Sequence, residues 1–144
     1  METIGHSGKV IIRKAKKADV PPLVGLDQEA SQEIDWWKPL ERSDFLKKIE
    51  SSDWVYVTEE KGRIVAYLTG EARGKTIELE NVYVQKEDRG GGIATHMIKR
   101  FLSDVKATHY EEVRLFCPEN LREFYESFGF EIEGIIMKKE LNAD

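Results

Sequence analysis

The chain has a single cysteine, Cys117, which excludes an intramolecular disulfide and a cysteine metal cluster. It ends a Val-Arg-Leu-Phe-Cys strand pattern, where a lone thiol behaves as a small buried hydrophobe. The three histidines, His6, His96 and His109, have no ligand spacing, so no metal is expected. No apolar run approaches membrane-spanning length, and the opening Met-Glu-Thr-Ile-Gly-His-Ser-Gly-Lys has no signal-peptide core. A cytoplasmic protein with no membrane partner is therefore expected. Positive charge is also in deficit: 22 Lys and Arg against 27 Asp and Glu leave a net charge of −5. That balance disfavours nucleic acid, which is gripped through its phosphates, and suits a cationic small molecule or peptide. Repeats, linkers and low-complexity tracts are missing too, and 144 residues suffice for one domain with a real core.

What stands out is the stretch Glu78 to Ile98. Its first part, to Val84, is rich in branched and aromatic residues and reads as a strand. Its last part, from Ile93, starts an amphipathic helix. Between them lie a charged turn and Gly90, Gly91 and Gly92. A strand that turns through glycines into a helix leaves the first helical N–H groups unpaired, backed by the positive end of the helix dipole. Phosphate is the usual occupant of such a site. Two common phosphate fingerprints fail. The sixth position from Gly90 is Thr95, not the glycine a dinucleotide loop needs, and no Gly-Lys-Ser/Thr follows.

The rest of the chain reads in order. Residues 1–9 are expected to be frayed, and 10–144 to form one domain. Val10 to Arg13 is a strand. Asp19 reads as a helix N-cap with Pro21 in the first turn, and the helix runs to about Ala30. Trp36 and Trp37 follow; adjacent residues cannot share one face, so at least one is expected at a cleft or in solvent. Glu41 to Ile49 is a second helix. Trp54–Thr58, Ile64–Gly70 and Thr76–Val84 are strands joined by turns at Lys61-Gly62 and Gly74, an antiparallel meander. Ile93, Met97, Ile98, Phe101, Leu102 and Val105 give the helix after the glycines one apolar face. Glu112–Cys117 is a further strand, implying a parallel, right-handed crossover. A helix from Pro118 to Phe128 is capped by Gly129, and a final pair of strands is expected around Gly134.

Arg89-x-x-Gly92-x-Ala94 resembles the Arg/Gln-x-x-Gly-x-Gly/Ala motif of the GNAT family of N-acetyltransferases. Asn120-x-x-x-Phe124-Tyr125-x-x-Phe128-Gly129-Phe130 resembles that family's last block, and Ile11-x-Arg13-x-Ala15 its opening strand. The resemblance spans Val10 to Leu141. It implies an α/β (α+β) GNAT fold: a mixed, mostly antiparallel central sheet flanked by helices, in the order β-α-α-β-β-β-α-β-α-β-β. It further implies an acetyl-CoA-dependent N-acetyltransferase acting on a primary amine of a small molecule, peptide N-terminus or lysine, by direct attack in a ternary complex.

By the same resemblance, Arg89 and the amides of Gly90, Gly91, Gly92, Ile93, Ala94 and Thr95 would hold the pyrophosphate. The main chain of Val82, Tyr83 and Val84 would pair with the pantetheine arm. Asn120 would bind the cofactor, and Tyr125, five residues later, would be the general acid. Glu78 and Glu80, two apart and so on one strand face, are both candidates for the base. Trp36 or Trp37 would wall the acceptor pocket, and Glu29, Glu33 and Asp35 nearby favour a cationic amine. The competing expectation is a non-catalytic CoA-binding sensor or structural domain on the same scaffold. Monomer and homodimer both remain open.

Overall fold

The computed structural model describes residues 2–4 and 10–142. One sheet holds six strands in sequence order: β1 (Glu2–Ile4), β2 (Val10–Lys14), β3 (Val55–Glu60), β4 (Arg63–Arg73), β5 (Thr76–Val84) and β6 (Glu112–Arg114). The first five are antiparallel, and β6 joins β5 in parallel. Among the described residues, four α-helices accompany them: α1 (Val20–Glu33), α2 (Arg42–Ser51), α3 (Ile93–Lys106) and α4 (Arg122–Glu126). The mixed, mostly antiparallel sheet with flanking helices is thus present. None of the described helices is long and apolar enough to cross a membrane.

Local chemistry explains the joints. Lys61 (φ 51°) and Gly62 (φ 78°) both adopt the left-handed conformation between β3 and β4, as a two-residue hairpin turn requires. Pro21 and Pro22 sit in the first turn of α1, where a missing N–H costs little. Strand alternation then feeds two cores. Ile12, Tyr56, Leu68, Ile77 and Leu79 meet Met97, Ile98 and Phe101 of α3 on one face. Val57, Tyr67 and Tyr83 meet Leu23 and Leu26 of α1, Trp37, and Phe45 of α2 on the other. Gly70 allows the first contact: a Cβ there would stand 2.9 Å from a Phe101 ring carbon.

Asp27 organises the second core. It is fully buried, and its carboxylate accepts hydrogen bonds from Trp37 Nε1, the Leu40 N–H and the Tyr67 hydroxyl. One side chain of α1 thereby pins the loop to α2 and the middle of β4.

Several expectations need correction. Asp19 stands at the N-cap of α1 as expected, but its side chain makes no capping hydrogen bond. Its carboxylate takes both arms of the Arg13 guanidinium (2.7 and 2.9 Å) and the Lys16 N–H (2.7 Å); a charge-assisted fork outcompetes a single capping N–H. Glu2–Ile4, expected to be frayed, pairs with β2, while residues 1 and 5–9 of that expectation lie outside the described ones. The strand Glu112–Cys117 is paired only to Arg114, and the helix after Pro118 is divided into a 3-10 turn, Glu119–Leu121, and α4. The final pair of strands does not form. Phe130 to Glu140 forms no helix, turn or ladder. A ladder needs a neighbour, and the chain does not turn back at Gly134 to provide one. The element order therefore ends in β-α.

Replacing Asp27 by Ala would strand three buried donors. The expected loss is about 3 kcal/mol, or roughly 10 °C in Tm. Thermal unfolding within 2 °C or so of wild type would show that the loop is held without it.

Candidate active site

The site starts where two strands part. β5 and β6 pair only from Thr76–Glu112 to Glu78–Arg114. Beyond that point β5 runs on to Val84 with β4 as its only strand partner, while Leu115, Phe116 and Cys117 leave the ladder. Among the described residues, the backbone groups of β5 that face away from β4 therefore have no strand partner there. A bulge lies at the start of this stretch: Gly70 faces Leu79 and Thr69 faces Asn81, so Glu80 is the extra residue. Bulges re-aim side chains. Ile77 and Leu79 enter the α3-side core before it, Val82 and Val84 pack there after it, and Tyr83 turns to the α1 side.

At the end of β5, Gln85 and a 3-10 turn, Lys86–Asp88, lead into the glycines. Gly90 (φ 90°) and Gly92 (φ 83°) are left-handed, and Gly92 is the N-cap of α3. The His96 N–H bonds the Gly92 carbonyl at 3.0 Å. The helical amides before it have no intrahelical acceptor. A Cβ built on Gly90 or Gly91 would meet nothing within 4 Å, so the space beside this loop is open. Free amides, a helix N-terminus and close backbone approach suit a pyrophosphate. His96, exposed as its place in the helix pattern suggests, leans its ring toward Gly92, 3.6 Å from where a Cβ would stand.

Arg89 behaves differently from the expectation. Its guanidinium forks onto Glu33 of α1 (2.6 and 2.7 Å), donates to the Val84 carbonyl (2.9 Å) and lies over the Tyr83 ring. The Tyr83 hydroxyl donates to the same carboxylate at 2.9 Å. Arg89 and Tyr83 hold the Glu33 carboxyl down to about 2; burial, then Glu33, push the Tyr83 phenol up to about 12. The arginine thus ties the glycine loop to α1, and the charge of Glu33 is already matched.

On the α2 side of β5, Lys48 donates to Glu80 (2.8 Å) and lies 3.9 Å from Glu71. Arg73 pairs with Glu78 (3.1 Å) and Glu71 (3.5 Å). Three carboxylates against two cations leave this patch negative. Burial, reinforced by Glu71 and opposed by Lys48, raises the pKa of Glu80; Glu71 is lowered, first by the neighbouring Glu80 carboxyl, then by Lys48 and Arg73. The tryptophans divide as the sequence requires. Trp37 is buried on Asp27, and Trp36 is 56% exposed. Trp36 meets Phe116, 62% exposed, edge to face at 6.4 Å.

The model of the acetyltransferase (GNAT) domain matches residues 51–132, more than half of the chain. The chain belongs to the GNAT acetyltransferase family. Solved structures share its fold. An N-acetyltransferase from Staphylococcus aureus Mu50 is 24% identical over 87% of this chain and 85% of that one, with a TM-score of 0.73. A predicted acetyltransferase from Clostridium acetobutylicum with acetyl-CoA is 19% identical over 92% and 96%, with a TM-score of 0.74. An aminoglycoside acetyltransferase from an uncultured soil metagenomic sample, in complex with sisomicin, is 17% identical over 93% and 97%, with a TM-score of 0.70. No curated protein sequence matches the chain.

In this GNAT domain Tyr125 is half-buried on α4, ringed by Phe124 at 5.1 Å and Phe130 at 5.9 Å. It packs against the α3-side core that also takes Leu115. Burial, then nearby Cys117, raise its phenol above the ordinary value, so it is a proton donor at neutral pH. Asn120 is exposed in the turn before α4. It borders an open polar hollow with Glu119, Arg122, Glu123 and Glu126, and none of the other expected cofactor residues lines that hollow. Sequence reasoning missed Lys48, Glu71 and Phe116. The first two lie in a helix and a strand with no motif to join them. Phe116 was hidden in a strand pattern that loses its sheet cover after Arg114.

Because the folded pKa of Glu33 is depressed, its contribution is present above its ordinary 4.5 and is lost as pH falls toward about 2. Both partners are partly exposed, so the pair is worth no more than about 1 kcal/mol. Denaturant unfolding across that window should show a flatter acid limb in Glu33→Gln than in wild type. Superimposable curves would mean that the Arg89–Glu33 pair contributes nothing.

Proposed function

We propose that this GNAT domain transfers the acetyl group of acetyl-CoA to a primary amine by direct attack in a ternary complex. The observation that carries the reading is an unpaired strand edge that leads into a loop of free amides at the N-terminus of α3, with a half-buried carboxyl, Glu80, at the bulge of the same strand. The amides from Gly90 to Thr95 bind the pyrophosphate, and Arg89 positions the loop through Glu33. The free edge of Val82, Tyr83 and Val84 pairs with the extended pantetheine arm, and a backbone N–H there polarises the thioester oxygen. Acetyl-CoA, when bound, supplies an activated acyl group on a thiolate leaving group. As the amine nitrogen bonds to the acetyl carbon and the carbon–sulfur bond breaks, Glu80 takes the proton the amine sheds. Tyr125 gives its phenolic proton to the departing sulfur. Asn120 is assigned to the cofactor, close to the start of α4.

Glu80 is preferred to Glu78 as the base because burial brings its proton affinity nearer to neutrality. Glu78 is more exposed and held by Arg73. The acceptor is placed on the α2 side, between Trp36 and Phe116 and the Glu71–Glu78–Glu80 patch. Lys48 already shows that a primary ammonium fits against two of these carboxylates. The negative patch supports a cationic amine, as does the aminoglycoside in the related fold.

Acetyl-CoA and CoA should each raise Tm, since a ligand at 100 times its Kd stabilises by about 2.7 kcal/mol; no shift at millimolar cofactor would sink the proposal. Tyr125→Phe should lower kcat about 100-fold with cofactor affinity unchanged, and retained turnover would remove Tyr125 from the acid role. In wild type the acid limb of kcat/KM should have its midpoint above the ordinary glutamate value of 4.5. In Glu80→Gln that limb should disappear; its persistence would transfer the base role elsewhere.

A further inference from the structure

The charged side chains on the α2 side of β5 form an alternating row with a carboxylate at each end. Lys48 Nζ lies 2.8 Å from Glu80 and 3.9 Å from Glu71; Arg73 lies 3.5 Å from Glu71 and 3.1 Å from Glu78. Three negative charges meet two positive ones, so the row is short of one positive charge. Its Lys48–Glu80 end is the less exposed: those side chains are 22 and 25% exposed, against 60 and 40% for Arg73 and Glu78. The same face holds an unmatched hydroxyl. Thr69 stands opposite Val55 of the α1-side core on one edge and opposite Asn81, next to Glu80, on the other. It is fully buried, and its Oγ1 has no hydrogen-bond partner among the described residues. Alternation puts Tyr67, Thr69 and Glu71 on one face of β4, leading toward Lys48.

Lys48 therefore stands where an acceptor has to come. An ammonium that gives its proton to Glu80 must lie within hydrogen-bond distance of that carboxylate, and Lys48 Nζ already does. Glu71 offers Lys48 a second seat, 3.9 Å from where its Nζ now lies. Trading one ammonium for another never leaves Glu80 buried without a cation, which is the costly state.

We propose that Lys48 sets the charge the acceptor must carry: the acceptor's ammonium displaces Lys48 from Glu80 onto Glu71, and its one positive charge brings the row to neutrality. This role rests on Glu80 being the base proposed above. An uncharged group cannot displace Lys48 and is rejected. Once the exchange is made, the Lys48 ammonium stands beside the acceptor nitrogen. Like-charge repulsion then favours passage of the acceptor's proton to the Glu80 carboxylate, which leaves the neutral amine that attacks the acetyl carbon.

The probe is n-butylammonium, titrated by NMR without acetyl-CoA at about pH 8, where amine and carboxylates are both charged. Lys48→Met removes the competitor and should tighten binding about tenfold, while Lys48→Arg, which keeps the charge, should stay within about twofold of wild type. 1-Butanol, which has the chain without the charge, should gain nothing. In wild type the Cε resonance of Lys48 should move during the titration, and that of Lys17, paired with Glu50 on the surface, should stay fixed. This last measurement needs no variant, so it decides the matter even if Lys48→Met does not fold. Equal or weaker binding to Lys48→Met, the same gain for 1-butanol, or a Lys48 resonance indifferent to the amine would overturn the proposal. These are binding readouts made without cofactor. Turnover retained with Lys48 indifferent removes the Lys48 role alone, and exchange at Lys48 without acetyl transfer removes the activity alone.

Discussion

Everything that makes this chain a catalyst candidate depends on two parallel strands separating after three paired residues. A parallel pair is joined by a crossover helix, and the turn into that helix comes at the C-terminal end of the first strand. When β6 leaves the ladder at Arg114, the second half of β5 keeps an edge without a partner. One geometrical event therefore leaves an unpaired strand edge that leads directly into the glycine loop and the N-terminus of α3. The bulge at Glu80 contributes by shifting the strand's alternation there, so that Val82 and Tyr83 divide between the two cores while Glu80 meets α2.

Acidic side chains do the positioning. Asp27, Glu33 and Glu80 all look alike in a list of carboxylates, but their surroundings set them to different tasks. Asp27 is buried with three donors and fixes the loop that carries both tryptophans. Glu33 binds Arg89 and Tyr83, is held strongly acidic, and anchors the glycine loop to α1. Glu80 is half-buried beside Glu71 and is pushed the other way, toward holding a proton. The net negative charge of the chain thus says little by itself about the acceptor; only one negative charge in excess lies around Glu71, Glu78 and Glu80.

Much of the fold was legible in the sequence. Thr76–Val84 and the start of α3 at Ile93 were read to the residue, because period-2 alternation, three glycines and an amphipathic face all agree there. The β3–β4 hairpin was readable from Lys61-Gly62 for the same reason: few residues tolerate the required dihedrals. The N-cap position of Asp19 was legible, but the partner of its carboxylate was not, since an arginine six residues earlier takes it and propensity cannot see that. The last strands were misread for a different reason. Residues 130–141 have strand composition, but a strand exists only when something pairs with it.

By itself the sequence determined most of the element types and the glycine loop, because these follow from local periodicity and backbone permissions. Tertiary structure alone decided which charges meet. It put Arg89 onto Glu33, placed Lys48 between Glu71 and Glu80, and left Trp36 and Phe116 in solvent while burying Trp37. These outcomes depend on burial and on partners dozens of residues apart, and no local pattern encodes the distance between two side chains on separate elements.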